Sequence, residues 1–405
     1  MEGRAGGAGG CDVLLLTASL GRGHRQVARA LTEAFAELHP GLRLRTTDEE
    51  EILGPALHRL VRGAYAFSLR HWQAGFDWFY RASAALVPGS RLHRALHGVG
   101  QRRLLRILQR WRPDVVVCTF PEQAGGLSAL RHRGLAAPRT AVVVTDHSAH
   151  SHWVHPGLDL YCAPSESVAA GLVRRGCTPG TVAVTGIPVR RAFRHLPSRA
   201  AVRDDLRLPP DLPAALVTPG PFDAAGPAIE AGRAVLDMPF PSAALVVMGD
   251  RRAERRALRA LGGPPGAHVF GFVRHMERLM VAADLLVGKA GGVTTAEALS
   301  CGLPMLLYRP APGQERQNTA MLVSAGAAEV AMDGRELREA LGRILGDPGR
   351  LAAMREAARS LAAPGAARDA ASRILALLPG ARYAEGPGSA ASANQWDRVS
   401  SESGR

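Results

Sequence analysis

Three stretches of the sequence combine titratable or hydroxyl side chains with glycine in patterns suited to chemistry on an anionic, hydroxyl-rich substrate. The first is Thr17-Ala-Ser-Leu-Gly-Arg-Gly-His-Arg25. Its glycines, Gly23 among them, let the backbone approach a ligand closely, and a helix starting there points its free amides at negative charge. His24 is thereby placed to act on a bound substrate, and an ordinary imidazole, with a pKa of about 6.5, is largely neutral near pH 7. A glycine turn carrying a surface histidine is the plain alternative. The second stretch follows the β-branched run Val142-Val-Val-Thr145 and holds Asp146, His147, His150 and His152. These residues suit an acid/base or acceptor-binding strand end, a metal site, or a structural polar cluster. No further acidic or histidine cluster lies nearby, so the first reading leads and no metal is expected.

The third stretch is the densest: Asp284-Leu-Leu-Val-Gly-Lys-Ala-Gly-Gly-Val-Thr-Thr-Ala-Glu-Ala-Leu299, then Cys301-Gly-Leu-Pro304 and Pro312-Gly-Gln-Glu315 with Asn318. Gly291, Gly292, Thr294 and Thr295 fall at a strand-to-helix junction, where amides, hydroxyls and the helix dipole hold a diphosphate. Glu297, within the first turn or so of that helix, can accept hydrogen bonds from ribose hydroxyls. Lys289, the chain's one lysine beside 49 arginines, stands just before this loop.

These residues need strands that end beside them. Asp12–Thr17, Arg112–Phe120, Arg139–Asp146, Leu158–Pro164 and Thr181–Gly186 are short apolar runs separated by helical patterns. A second series follows: Ala214–Thr218, Ser242–Met248, His268–Phe272, Asp284–Val287 and Pro304–Tyr308. Continuous apolar strands alternating with helices predict parallel sheets covered on both faces. In such sheets ligands bind beyond the carboxyl ends of the strands. The expected organisation is a flexible 1–10, a first domain over 11–195, a proline-rich linker over 196–213, a second domain over 214–378 closed by a helix from Arg350 to about Leu378, and a disordered tail over 379–405.

Length and composition fit two domains: 405 residues, 46% of them hydrophobic, exceed what one core usually organises. Five scattered cysteines form no CxxC pair, so neither a disulfide framework nor a zinc site is indicated. The start of the chain matches neither a signal peptide nor a spanning helix. The formal charge of +14 is concentrated in residues 1–200, which hold 26 arginines against 14 acids. Within them Ile52–Arg112 carries eleven arginines and one acid, Asp77. The same stretch includes Tyr65, Phe67, Trp72, Phe76, Trp78, Phe79 and Tyr80. Arginine beside interfacial aromatics reads as a surface for anionic lipid. A solvated helix pair is the competitor, and nucleic acid is disfavoured because no nucleic-acid-binding signature accompanies the charge.

The GGxTTxEAL arrangement is similar to the donor half of GT-B glycosyltransferases. Together with GRGHR, VVTDHSAHSHWVHPGLDLYCAPSE, VTGIPV and LLYRPAPGQERQN, it resembles the monogalactosyldiacylglycerol synthase and processive diacylglycerol glucosyltransferase family, relatives of the MurG enzymes, over residues 11 to 378. The resemblance implies an α/β GT-B fold, two Rossmann-like doubly wound domains facing a cleft, and makes the first domain the acceptor-binding one. It implies an inverting, metal-independent hexosyltransferase that moves a sugar from a UDP-sugar to a lipid-like acceptor. UDP-sugar is then a co-substrate and no cofactor is expected. By the same resemblance Phe272 and Val273 flank the uracil, Gly291, Gly292, Thr294 and Thr295 hold the diphosphate, Glu297 binds ribose, and Gln314, Glu315 and Asn318 contact the sugar.

His24 is the first choice of base, with Asp146 as alternative base or orienting residue. Trp72, Phe76, Trp78, Phe79 and His147 are expected on the acceptor and membrane side of a cytoplasmic protein held peripherally at the inner face of the membrane. The segment Thr218-Pro-Gly-Pro-Phe-Asp-Ala-Ala-Gly226 departs from the family, since two prolines remove amides that could serve a phosphate. Other readings are a glycosyltransferase of phosphoglycolipid or secondary metabolism, a UDP-sugar 2-epimerase, and a non-catalytic nucleotide-sugar-binding regulator.

Overall fold

The computed structural model describes residues 11–379 except 20, 22, 91–92, 94–98, 136–137, 221–224 and 264–265. The expected flexible start, the tail from 380 onward, Arg22 of the glycine turn and residues 221–224 of the divergent Thr218–Gly226 loop lie outside the described residues.

Among the described residues, twelve strands form two six-stranded sheets, each parallel throughout. In the first, β1 (Val13–Thr17), β2 (Leu44–Asp48), β3 (Val115–Cys118), β4 (Arg139–Val143), β5 (Leu160–Ala163) and β6 (Val182–Val184) lie in the order β2-β1-β3-β4-β5-β6. In the second, β7 (Ala214–Val217), β8 (Ala243–Val247), β9 (Ala267–Phe270), β10 (Leu285–Gly288), β11 (Met305–Tyr308) and β12 (Ala328–Ala331) lie in the order β12-β11-β10-β7-β8-β9. The central strands are buried from end to end, as in Val13–Thr17, Val115–Cys118 and Leu285–Gly288, because helices cover both faces. The order reverses beside β1 in one sheet and beside β7 in the other, which puts each switch point at the carboxyl end of a chemistry-bearing strand.

Two strands escape the sequence pattern, β2 and β12. Each lies at a sheet edge with one neighbour, and β2 reads Leu-Arg-Thr-Thr-Asp with Arg45 and Thr46 exposed. A half-solvated edge has no need of a continuous apolar run.

Two expected segments are corrected. The residues expected as a bare linker contain the helix Arg199–Asp205, whose Val202 joins Phe193 and Leu208 in the second domain's core. Arg203, 3% exposed, donates to the carbonyls of Ala282 (2.6 Å) and Pro209 (2.6 Å) and so fastens the segment down. The single helix expected from Arg350 to Leu378 is two helices, Pro348–Ser360 and Ala366–Leu375, parted at Pro364-Gly365. The second does not belong to the 214–378 domain. Its Ala367, Ala370, Ala371, Ile374 and Leu375 share a core with Val13, Leu15, Val27 and Leu31 of the first domain, and it packs along the helix Gly23–Leu38. Gly186, at φ +83°, makes the crossing possible: a Cβ there would lie 2.7 Å from that of Ala363.

The arginine-rich segment is largely helical, with described helices Pro55–His71, Gln73–Ala84 and Gln101–Trp111. Among the described residues no helix is long and apolar enough to cross a membrane.

Candidate active site

The helix Gly23–Leu38 opens straight after β1, and its second residue is His24. Immediately beyond β3, the Thr119 carbonyl sits 2.7 Å from His24 Nδ1. A carbonyl only accepts, so Nδ1 carries the proton and Nε2 holds the lone pair. The Phe120 ring meets the imidazole edge-on at 5.0 Å. Burial, opposed by the Thr119 hydrogen bond, lowers the His24 pKa to about 4. His24 is neutral through the physiological range, and a far poorer proton acceptor than an ordinary imidazole.

Asp146, a few residues past β4, is driven the other way. Burial, with the nearby Glu315 carboxylate, raises its pKa to about 7, against a lowering contribution from Trp153. The two groups exchange the ranking that ordinary pKa values give them.

The second domain meets these residues directly. Helix Gly292–Ser300 begins after β10, and a Cβ on Gly292 would lie 1.9 Å from the Thr145 carbonyl oxygen and 3.4 Å from Asp146 Cα. Only hydrogen fits there. A Cβ on Gly23 would lie 3.2 Å from Val293 Cγ2, and Val293 is buried in the first domain's core. The starts of the Gly23 and Gly292 helices thus face each other across the domain boundary, each with its unsatisfied amides near the other. Gly291 and Thr294 are partly open, whereas Thr295 is fully buried and its hydroxyl has no hydrogen-bond partner. Glu297, 8% exposed, has its carboxyl pushed up to about 7 by burial, with Arg190 opposing and Glu277 adding to the rise.

Phe272 is 54% exposed beyond β9, and Val273 rests against the second domain's core. Gln314 precedes the helix Glu315–Ser324, and Glu315 accepts from the Ala311 amide at 2.8 Å. Asn318, expected at the sugar, has partners within the protein. It is fully buried; its Oδ1 accepts from the His147 amide (2.8 Å) and its Nδ2 donates to the Ala290 carbonyl (2.7 Å). Each end of the amide has a partner, so Asn318 ties the Asp146 loop to the Gly291 loop and pins one domain to the other. Lys289 is likewise committed, its ammonium donating to the Arg309 carbonyl.

The histidine cluster disperses. His150 is buried with Nε2 2.8 Å from the Tyr80 carbonyl, His152 lies edge-on to it, and His147 is half-buried with its pKa lowered to about 4 by burial. Among the described residues no group of three or more His, Cys, Asp or Glu is arranged to hold a metal ion. Of the aromatics expected outside, Trp72, Trp78 and Phe79 are 61%, 69% and 45% exposed. Phe76 is not among them; it turns inward onto Tyr65, Tyr80 and the Gly313 backbone.

Two features escaped sequence reasoning. Arg190 follows the VTGIPV motif, donates to Glu277 at 3.0 Å and lies close enough to influence Glu297; its Nε is buried without a hydrogen-bond partner. Glu49 and Glu122, just beyond β2 and β3, are pushed up to about 8 and 7, chiefly by burial. Nothing in the local sequence separates them from surface acids at helix starts. The cavity of about 440 Å³ beside Leu57, Arg103 and Arg133 lies at the far end of the helix Pro121–His132 from Glu122, away from this chemistry.

Two doubly wound domains that face each other through helix N-termini, with a desolvated acid between them, define a glycosyltransferase of the GT-B fold. Residues 24–189 match the monogalactosyldiacylglycerol (MGDG) synthase model and residues 244–374 the glycosyltransferase family 28 C-terminal domain, one match in each half of the chain. It is 27% identical to the processive diacylglycerol beta-glucosyltransferase of Bacillus licheniformis, over 86% of this chain and 91% of that one. It is 29% identical to the protein of the same name from Bacillus mycoides, over 90% and 93%. Among solved structures, Acinetobacter baumannii MurG superposes with a TM-score of 0.56 at 14% identity, covering 90% of this chain and 99% of that one. The S. aureus MnaA–UDP structure does so at 0.60 and 16%, covering 90% and 95%. At such identities these two speak for the fold alone.

Proposed function

We propose that the protein transfers a hexose from a UDP-sugar to a hydroxyl of diacylglycerol, or of a glycolipid built on it, with inversion to a β-glycoside. The observation that carries this reading is the contact of Gly292 with the Thr145–Asp146 backbone. It sets the amide-rich start of one domain's helix against the desolvated carboxylate of the other. Diacylglycerol as acceptor is supported by the family of the first domain and by the names of the Bacillus relatives.

In this mechanism the acceptor oxygen attacks the anomeric carbon, the bond from that carbon to the diphosphate oxygen breaks, and the hydroxyl proton passes to Asp146. A base with a pKa near the working pH combines ionisation with proton affinity. His24 Nε2 accepts a hydrogen bond from a substrate hydroxyl and orients it. Charge growing on the departing UDP falls at the Gly292 helix start, where amides and the Thr294 and Thr295 hydroxyls are preorganised. Glu297 receives the ribose, Phe272 and Val273 flank the uracil, and Gln314 and Glu315 meet the sugar. No metal enters this scheme.

Trp72, Trp78 and Phe79 form the lipid-facing surface, in a segment with eleven arginines and one acid. They hold the protein at the inner, anionic face of the membrane.

The test is to incubate the purified protein with UDP-glucose or UDP-galactose, offering diacylglycerol vesicles or a polyprenyl phosphoglycerate, and to read products by mass. A hexosyl-diacylglycerol that disappears with Asp146→Asn is expected. Transfer to the polyprenyl compound alone would overturn the acceptor, and no transfer from either donor would overturn the function.

A further inference from the structure

The single acid of the arginine-rich segment is not spent on that segment alone. Asp77 lies in the helix Gln73–Ala84 of the first domain, with its side chain 17% exposed. Its Oδ1 accepts from the Gly313 amide of the second domain at 3.3 Å, and its Oδ2 lies 3.3 Å from Arg316 Nη1. Arg81, one turn on, closes the same carboxylate from its own helix.

Next to this contact, Gly313, at φ +81°, rests its Cα against two aromatic rings. A Cβ there would lie 2.9 Å from Phe76 Cε1 and 3.4 Å from Tyr80 Cγ. Tyr80 in turn packs on His150 at 4.1 Å and lies 3.4 Å from Ser148 Oγ, both in the loop that follows Asp146. The helix is therefore wedged between the loop carrying the acid and the turn carrying Gln314 and Glu315. Trp72, Trp78 and Phe79, at the start and on the outer side of this element, are left exposed.

We propose that Asp77 is a positioning residue for the donor sugar: through Gly313 and Arg316 it holds the Pro312–Glu315 turn in place from the acceptor-side domain. The inference rests on the reading that Gln314 and Glu315 meet the sugar. It adds that a residue outside the donor domain sets their position. The ring contacts of Gly313 with Phe76 and Tyr80 register the turn by shape, and the Asp77 carboxylate adds the polar bonds. A carboxylate accepting from both fixes the turn in two directions.

Donor binding and turnover test this on the full-length protein, with calorimetry for UDP and UDP-glucose and initial rates for KM and kcat. In Asp77→Ala the dissociation constant and KM for UDP-glucose are expected to rise about tenfold, the scale of one or two partly exposed charge-assisted hydrogen bonds. Binding of UDP, which lacks the sugar, stays within about twofold. Asp77→Asn keeps an oxygen for the Gly313 amide and recovers part of the loss, whereas Gly313→Ala, which drives a methyl into Phe76, reproduces it.

Equal weakening of UDP and UDP-glucose would mark a merely structural role, and unchanged binding of both would also overturn the proposal. If Asp77→Ala behaves as wild type while the wild-type protein transfers glucose, the positioning role alone fails. If the wild-type protein binds UDP but gains nothing from the glucose, the functional reading fails and takes the role of Asp77 with it.

Discussion

The pH profile of the transfer separates the two candidate bases. Asp146 has its pKa raised to about 7, chiefly by burial, whereas His24 has its pKa lowered to about 4 by burial. If the Asp146 carboxylate takes the proton, activity follows its ionised fraction: about nine-tenths at pH 8, half at pH 7, one-tenth at pH 6 and one-hundredth at pH 5. The rate under subsaturating donor and acceptor then falls about tenfold from pH 8 to 6 and close to a hundredfold by pH 5. If His24 took the proton, its lone pair would be available from about pH 5 upward and the profile would be flat over the same span.

Initial rates on diacylglycerol vesicles in a constant-ionic-strength buffer series measure this directly, with UDP affinity measured in parallel to remove effects on donor binding. Asp146→Asn should lose at least about a hundredfold and its residual rate should lose the pH dependence, in line with the usual contribution of a general base. His24→Ala also nearly abolishes transfer while UDP binding persists, but any residual activity keeps the slope centred near pH 7. A flat wild-type profile between pH 5 and 8, or a sloping profile in Asp146→Asn, would refute the assignment of Asp146.

Three further outcomes follow from the geometry. Gly292→Ala puts a methyl carbon 1.9 Å from the Thr145 oxygen, far inside contact distance, so the domains must part; transfer should fall at least a hundredfold while each domain stays folded, checked by rates beside circular dichroism. Asn318→Ala strands the His147 amide and the Ala290 carbonyl, each costing about 1–3 kcal/mol if it stays dry; thermal unfolding should shift down, and a wild-type melting temperature would show the pin to be idle. Glu49 is an acid with its folded pKa raised to about 8 from 4.5. The stability it permits is complete below pH 4.5 and is lost as pH rises through 8, so Glu49→Gln should stabilise the protein by on the order of 4 kcal/mol at pH 8 and by nothing at pH 4, read from melts at both pH values.

The sequence carried the central strands and the glycine-bearing turns because those features are local. A run such as Leu285-Leu-Val-Gly288 must be buried on both faces wherever it lies, and Gly291-Gly292-Val-Thr-Thr295 opens a helix by its own chemistry. What stayed illegible was set by distant partners. Asn318 looked like a ligand residue because its type and place in the PGQExxN pattern fit a sugar, but the sites for its two amide ends come from residues 171 and 28 positions away. Phe76 reads as an interfacial aromatic beside Trp78 and Phe79, whereas Tyr65, Tyr80 and, from the other domain, Gly313 give it an inward seat. The ranking of His24 and Asp146 reverses for the same reason, since desolvation belongs to the assembled cleft and not to either motif.

Gly23 against Val293, Gly292 against Thr145, Asn318 across to His147 and Asp77 to Gly313 all join residues of different domains. The helix Ala366–Leu375 adds a fifth tie, returning from the second domain to the first domain's core. The ties differ in kind. The returning helix buries Ala370, Ala371, Ile374 and Leu375 completely, and at roughly 25 cal/mol per Å² of apolar surface such a contact is not broken in a catalytic cycle. The glycine contacts and the Asp77 carboxylate bury little apolar surface and hold by shape and a few polar bonds, which open at small cost. In the proposed mechanism the donor and the acceptor meet at the helix starts at Gly23 and Gly292, where the ties are the weak ones, while the returning helix keeps the two domains joined. Where the chain returns, Gly186, at φ +83°, packs so closely that a Cβ on it would lie 2.7 Å from that of Ala363, which leaves no room for a side chain at this crossing.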